Sequence, residues 1–501
     1  MSVSDGGGEE EPWTLPPSRK RADAAISGPF PEQIEIVLSN MVFVPKAGLP
    51  EPMLNRLLRL AAFQNPEFYK TQSMRLSTWD KPRVIFCGEE LPKHVALPRG
   101  CIAEIRELMA AHGVRVKSRD ERSMGHPMDF SFVGTLTEEQ SEAVQSALKH
   151  DAGILCAPTG FGKTVVGATF ITTRKVNTLV MVHRQQLLDQ WRERLAMFLG
   201  VPLKSIGQVS GGKQKRTGSI DVALIQSLQR KGEVKDFVAE YGQVIVDECH
   251  HISAVTFEQV MKQVKARYVV GLTATPTRKD GHHPIIFMQC GPVRFSVSPQ
   301  AAAARPPFEH LLLPRCTDFR LPAESKETTI HDVYAALITD GVRNQRIIAD
   351  ILDVIRLGRT PLVLTNRTEH IERLASGLTG VGEVLILKGG MGSKQRQALA
   401  ERLTSIPESV PRVILATGSY IGEGFDDSRL DTLFLTMPIS WYGTLQQYVG
   451  RLHRIHHGKK VVRVYDYVDA HVPMLARMYE KRLRGYRAIG YRAEPEQGSL
   501  L

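Results

Sequence analysis

The stretch Ala157-Pro158-Thr159-Gly160-Phe161-Gly162-Lys163-Thr164 decides the fold. It follows the apolar run Gly153-Ile154-Leu155-Cys156, whose pattern predicts a buried strand, and precedes Val165 to Ile171, which reads as a helix packed on a sheet. Strand, glycine-bearing loop and helix start together make a phosphate cradle. Gly160 and Gly162 let backbone N–H groups face an anion, and the helix N-terminus adds partial positive charge. In such loops the lysine, here Lys163, reaches the β- and γ-phosphates, and the hydroxyl after it, here Thr164, ligates Mg²⁺. The pattern departs from the Walker A form only at Ala157, where glycine is usual. A glycine-rich turn with an incidental Lys-Thr pair is the alternative, and the flanking strand and helix favour the phosphate reading.

At 501 residues and 42% hydrophobic content the chain can bury several cores, enough for about three or four domains. The net charge of +11 suits a polyanionic partner, although a basic excess of this size is also found on ordinary surfaces. Six cysteines, Cys87, Cys101, Cys156, Cys249, Cys290 and Cys316, stand apart with no CxxC pair and no paired histidine at zinc spacing, which points to reduced thiols. With no apolar signal core and no bilayer-length stretch, a soluble cytoplasmic protein without a membrane partner is expected.

Residues 1–31, rich in Gly, Glu and Pro and carrying the basic run Arg19-Lys20-Arg21, are expected to form a flexible tail. Residues 32–130 are expected to form a small α+β accessory domain. Its signals are apolar alternation through Ile34, Ile36 and Val44, helical spacing at Leu54, Leu57, Leu58 and Ala61, a strand at Arg83–Phe86 and a helix from Cys101 to His112. Phe63, Phe68, Tyr69, Lys70, Arg75 and Trp79 mix aromatic and basic side chains, which can stack bases and bind phosphates or simply fill a core.

From residue 131 to 302 strands alternate with helices, the pattern of a parallel sheet covered on both faces. Thr178–Val182 leads into His183-Arg184, and Ile220–Ile225 into Gln226-Ser227, so polar groups stand at the carboxyl edge where such sheets bind ligands. Upstream, Gln140 offers a side-chain amide able to read an adenine edge. The apolar strand Val244–Val246 ends in Asp247-Glu248-Cys249-His250-His251. Adjacent acids suit phosphate hydrolysis, Asp247 holding Mg²⁺ through its water shell and Glu248 orienting and deprotonating the attacking water. An acid pair capping the next helix is the alternative. His250 and His251 lack a third ligand, so no metal centre of their own is expected.

Asp247-Glu248-Cys249-His250 with Gly271-Leu272-Thr273-Ala274-Thr275-Pro276 resembles motifs II and III of superfamily 2 DNA helicases and translocases. The likeness is to the DECH-box branch, similar to phage branch-migration and transcription-repair helicases. Downstream, Arg412 to Asp426 resembles motif V, and Gln447-Tyr448-Val449-Gly450-Arg451-Leu452-His453-Arg454 resembles the QxxGRxxR of motif VI. The resemblance runs from about Phe132 to Asp469, and the flanks resemble helicase modules of bacterial conflict and defence systems, some fused to primases.

This resemblance implies an α/β fold of two tandem RecA-like parallel-sheet domains, residues 131–302 binding ATP and residues 303–470 closing on it, with the accessory domain before them and a basic C-terminal helix and tail at 471–501. Ala301–Pro307 is expected to be a linker, and strands are expected at 361–364, 383–387, 412–416, 432–435 and 461–465. The implied activity is that of a nucleic-acid-dependent ATPase, a helicase or translocase that uses ATP and Mg²⁺ to move along or remodel DNA. An RNA helicase, or an ATP-gated clamp or motor subunit recruiting a nuclease, stands as the alternative, and no nuclease acid-lysine cluster is evident, so cutting would fall to a nuclease or primase partner.

The implied catalytic residues are Lys163, Asp247, Glu248, Arg451 and Arg454, the two arginines sharing a helix face as arginine fingers. ATP binding falls to Gln140, Pro158, Thr159, Gly160, Phe161, Gly162, Lys163, Thr164, Gly424 and Asp426. Coupling falls to His250, Thr273, Ala274, Thr275 and Gln447. Arg184, Gln226, Ser227, Asn366, Arg367, Gly389, Gly390 and Thr417 are implied to touch the nucleic-acid backbone, so binding should be sequence-tolerant and salt-sensitive. The helix expected from Met474 to Arg492 should pack on the second lobe with Arg477, Lys481, Arg482, Arg484 and Arg487 facing solvent or nucleic acid.

Overall fold

Alternation between the two faces of each strand determines where every layer lies. The computed structural model describes residues 26–494 except 159, 250–253, 276–279, 298–307, 322–328, 389–390, 392, 419–426, 440–444, 446–447 and 455. The basic run Arg19–Arg21, the linker expected at Ala301–Pro307 and the site candidates Thr159, His250, Gly389, Gly390, Gly424, Asp426 and Gln447 therefore lie outside the described residues.

The N-terminal sheet has five strands, ordered Glu89–Glu90, His94–Leu97, Val42–Pro45, Gln33–Leu38 and Arg115–Asp120. Ile34 and Ile36 are buried between exposed Gln33 and Glu35, so one face meets water and the other packs under helices Glu51–Leu60 and Ile102–Ala111. A separate hairpin pairs Ala62–Gln64 with Val84–Phe86 and carries helix Pro66–Ser73, which starts where the Asn65 side chain accepts from Glu67 N–H at 3.0 Å. Phe63 and Ile85 of this hairpin pack on the core of the following lobe.

One side chain joins the accessory sheet to that lobe. Arg99 is half-buried, and its guanidinium donates to the carbonyls of Ala266 (3.1 Å), Met261 (3.4 Å) and Val264 as well as to Asn40 O of its own domain. These carbonyls include and follow the C-terminal residue of helix Ala254–Met261, where a cation meets the negative end of the helix dipole. Burial lowers the Arg99 pKa to about 10, which still leaves it charged at neutral pH.

The first lobe is an eight-stranded sheet ordered Lys213–Lys215, Gly207–Ser210, Ile220–Leu224, Thr178–Val182, Gln243–Asp247, Tyr268–Thr273, Ala152–Cys156 and Val293–Ser296, parallel apart from Lys213–Lys215. Leu179 and Met181 enter one core and Val180 and Val182 the other, so both faces are covered. The second lobe repeats this plan with seven parallel strands, ordered Glu383–Leu387, Arg412–Thr417, Pro361–Thr365, Thr432–Leu435, Val461–Val468, Glu309–Cys316 and Arg492–Ala493. These two α/β sheets are the tandem parallel-sheet architecture expected from the sequence. Two of the seven strands, Glu309–Cys316 and Arg492–Ala493, were outside the expected set.

The C-terminal helix spans Pro473–Ala488 and packs on the second lobe as expected, with Arg477, Lys481, Arg484 and Arg487 exposed. Arg482 is a correction: it is 3% exposed and forms a two-pronged pair with Asp466, 2.8 Å at each contact. Asp466 lies fully buried on strand Val461–Val468, and an unpaired carboxylate there would cost several kcal/mol, so the helix turns this one arginine inward. Asp469 is met similarly by Arg343 Nε at 2.8 Å. Among the described residues no helix is long and apolar enough to cross a membrane.

Arg99→Ala strips a charged donor from several carbonyls and should lower stability by about 3 kcal/mol in urea unfolding, with Arg99→Lys recovering less than half because an ammonium cannot span the same set. His370, buried between Asn344 Oδ1 (3.0 Å) and Thr365 Oγ1 (2.9 Å), is driven down to about 3, first by burial and then by Arg343 and Arg373. Below the ordinary value of 6.5 the unfolded chain binds a proton that the folded chain refuses, so stability is lost as pH falls, by up to about 1.4 kcal/mol per pH unit. Urea unfolding across that range should show a shallower slope for His370→Gln.

Candidate functional site

The phosphate loop leaves the carboxyl end of strand Ala152–Cys156 and enters helix Lys163–Arg174. Gly160 and Gly162 hold φ of 92° and 89°, a region that disfavours any residue with a Cβ. A Cβ on Gly162 would also stand 2.6 Å from Gln140 Nε2. Phe161 inserts its ring into the core, and Ala157, the one departure from the loop pattern, is buried with its N–H donating to Thr273 O at 2.9 Å. Gln140, expected to read an adenine edge, is engaged locally. Its Nε2 donates to Phe161 O at 2.7 Å and its Oε1 accepts from Thr137 N–H at 3.0 Å, closing a capping box that ties helix Glu138–Leu148 to the loop.

Strand Gln243–Asp247 lies next but one to the phosphate-loop strand, with Tyr268–Thr273 between them. Glu248, just past its end, adopts φ of 47°, left-handed and costly for a side chain of this kind by roughly 1–2 kcal/mol. That turn brings its Oε1 onto Lys163 Nζ, with Glu248 buried and Lys163 half-buried, while Oε2 accepts from Ala274 N–H at 3.4 Å. Burial opposes the Lys163 charge, but Glu248 and Asp247 more than offset it and hold its pKa above the ordinary value. Asp247 is displaced upward, first by burial and then by repulsion from Glu248.

Sequence reading missed the residue that orients Asp247. Trp191, buried on helix Gln185–Phe198, donates its indole N–H to Asp247 Oδ2 at 2.7 Å, and Glu248 N–H donates to Oδ1 at 3.0 Å. Gly167 makes the room: a Cβ there would stand 2.6 Å from the indole. A tryptophan on the apolar face of a helix reads as core, and the only sequence signal was a glycine inside the neighbouring helix. Cys249 points instead into the core behind the acids.

The coupling candidates cluster beside this set. Thr273 Oγ1 donates to Thr275 O at 2.6 Å and accepts from Thr275 N–H at 3.2 Å, a closed turn around Ala274. Arg184 stands immediately before helix Gln185–Phe198, and Gln226 Nε2 donates to His183 O at 3.3 Å, so the two candidates sit together at the carboxyl edge. Ser227 Oγ accepts from Gly211 N–H at 2.9 Å. In the second lobe Asn366 and Arg367 follow strand Pro361–Thr365, whose Thr365 pairs in register with Thr417. Arg367 meets His331 Nδ1 at 3.2 Å. Burial raises the Tyr448 pKa to about 12, with the Arg184 cation opposing that rise.

Arg451 and Arg454 correct the expectation of a shared helix face. Residues 451–454 are turns and a bend, with Arg451 8% exposed and Arg454 half-buried. Lys459 Nζ donates to Leu452 O (3.1 Å) and Arg454 O (2.8 Å), taking up carbonyls that a continuing helix would need. Of the accessory aromatics, Phe68 is buried under Arg83 and Phe63 packs inward, while Trp79 is 89% exposed.

Residues 134–278 match the family model described as "Type III restriction enzyme, res subunit". A putative helicase of Invertebrate iridescent virus 3 is 35% identical over 189 residues, 36% of this chain and 56% of the relative. A DNA 3'-5' translocase of Sulfurisphaera tokodaii is 31% identical over 170 residues, 34% and 37% of the two chains. The chain thus spans about half or less of the length of these relatives. A fragment of a putative type I restriction enzyme HsdR subunit from Vibrio vulnificus shares the fold at TM-score 0.54 and 17% identity, covering 73% of this chain and 69% of its own.

Trp191→Phe keeps an aromatic side chain but deletes the indole donor, so the fold should persist while any nucleotide hydrolysis at this site falls about tenfold, the rate equivalent of a charged hydrogen bond worth roughly 1.5 kcal/mol. Gly167→Ala should produce the same loss by displacing the indole. Steady-state hydrolysis against Mg²⁺ concentration, with thermal unfolding as control, checks both.

Proposed function

We infer that this chain, whose motor resembles superfamily 2 helicases, couples ATP hydrolysis to movement along DNA or its remodelling. The observation that carries the reading is the joined set of Lys163, Glu248, Asp247 and Ala274 at one sheet edge, contiguous with the phosphate loop. Two left-handed glycines, a helix N-terminus, a lysine, a hydroxyl and two acids fit a magnesium nucleotide. Thr164 and Asp247 would hold Mg²⁺, which when bound neutralises phosphate charge.

The chain's own residues divide the remaining work. Backbone N–H groups of the loop and Lys163 bind the phosphates, so Lys163 must exchange at least part of its pairing with Glu248 for nucleotide. Glu248, released from that lysine, has a free carboxylate oxygen able to orient water and accept its proton. Its Oε2 contact to Ala274 links that change to the Thr273–Thr275 turn. Arg451 and Arg454 of the second lobe stabilise phosphate charge when the lobes close, a role worth ~10³–10⁵ in rate where it operates. Arg184 and Gln226 on one lobe, and Asn366, Arg367 and Thr417 on the other, supply the nucleic-acid track. The Sulfurisphaera tokodaii relative, named as a DNA translocase, favours DNA over RNA as that track.

Steady-state ATP hydrolysis without nucleic acid and with single-stranded, duplex and forked DNA or RNA tests the proposal. DNA should stimulate turnover at least about tenfold, and Lys163→Ala should lower it by about a hundredfold or more. Greater stimulation by RNA would reassign the track, and indifference to every nucleic acid would leave a partner-activated switch in place of a motor.

A further inference from the structure

The short strand Arg492–Ala493 completes the second-lobe sheet beside Glu309–Cys316, and this fixes the residue just before it. Tyr491 is buried, its ring stacked on His310 with centroids 5.0 Å apart and planes 24° from parallel. Its hydroxyl lies 3.1 Å from His453 Nε2, and the His310 and His453 rings approach to 4.6 Å. His453 stands in the turn between Arg451 and Arg454. Burial drives His453 down to about 3 and also lowers His310, so both rings are neutral and can stack without repulsion.

A ring serving only to fill this core would need no hydroxyl. A buried hydroxyl without a partner costs free energy, and this one finds its partner on the arginine turn. Lys459 holds the backbone of the same turn through the Leu452 and Arg454 carbonyls, while Tyr491 holds the side chain projecting from it. The helix Pro473–Ala488, anchored by Arg482 on Asp466, sets where Tyr491 emerges.

We propose that Tyr491 is a positioning residue: through its hydrogen bond to His453, backed by the stacked His310, the C-terminal strand holds the Arg451–Arg454 turn in one geometry. This rests on the reading of those arginines as groups that act on ATP. Loss of one such neutral hydrogen bond corresponds to about fivefold in rate.

The experiment is a double-mutant cycle in the full chain, with Tyr491→Phe, Arg451→Ala and their combination followed by nucleic-acid-stimulated ATP hydrolysis and thermal unfolding. Tyr491→Phe should lower kcat about fivefold with the KM for ATP within twofold of the parent, and should have a clearly smaller effect in the Arg451→Ala background. His453→Gln, which keeps a hydrogen-bonding group, should retain more activity than His453→Leu, and this pair serves if Tyr491→Phe fails to fold. An unchanged kcat for Tyr491→Phe, or a loss that multiplies fully with that of Arg451→Ala, would overturn the proposal while leaving the arginine reading intact. An Arg451→Ala variant with parental kcat would instead overturn the arginine reading and the proposal with it.

Discussion

Two carboxylates kept from water at the end of one strand set the terms for the first lobe. Asp247 and Glu248 are adjacent, mutually repulsive and buried, and leaving either unsatisfied would cost several kcal/mol. The lobe meets this demand from two helices. Helix Lys163–Arg174 supplies Lys163 to Glu248, and helix Gln185–Phe198 supplies the Trp191 indole to Asp247. Both helices must then lie at fixed heights on one face of the sheet, and Gly167 is where they come closest to conflict. The left-handed backbone at Glu248 persists because these contacts specify it from several directions.

The second lobe solves a related problem with arginine. Strand Val461–Val468 and the residue after it place Asp466 and Asp469 in the interior, and each receives a guanidinium from a different helix, Arg482 from the last and Arg343 from Gly341–Arg356. Guanidinium groups suit these sites because they hold two oxygens at once and lend further donors to backbone, as Arg343 does to Thr436 O at 2.9 Å. Buried ion pairs of this kind are weak sources of net stability, yet removal of one partner is severe, so they fix arrangement more than they add strength.

What could be read from the sequence was what lies close together in it. The phosphate loop, the acid pair and the two-faced parallel strands are each contained within a few residues, and their spacing alone carries the chemistry. Contacts made across the fold left no such trace. Trp191 meets Asp247 across 56 residues and Arg99 meets Val264 across 165, and in sequence each looks like an ordinary core or surface residue. The shared helix face expected of Arg451 and Arg454 was misplaced for a different reason: a spacing of three fits a helix, but that segment runs in turns whose carbonyls Lys459 takes up. Arg482 was placed outward because amphipathic patterning counts charges and cannot foresee a buried Asp466.

Arg99 carries a mechanical consequence. Its guanidinium grips carbonyls of the first lobe and one of its own domain, and the hairpin that carries Phe63 and Ile85 adds apolar contact on that same lobe. The accessory sheet is thereby a passenger of the first lobe, sharing its frame of reference. The exposed Trp79 is thus held at a constant offset from the phosphate loop, and a swing of the opposite lobe would leave that offset, and the accessory sheet itself, unchanged.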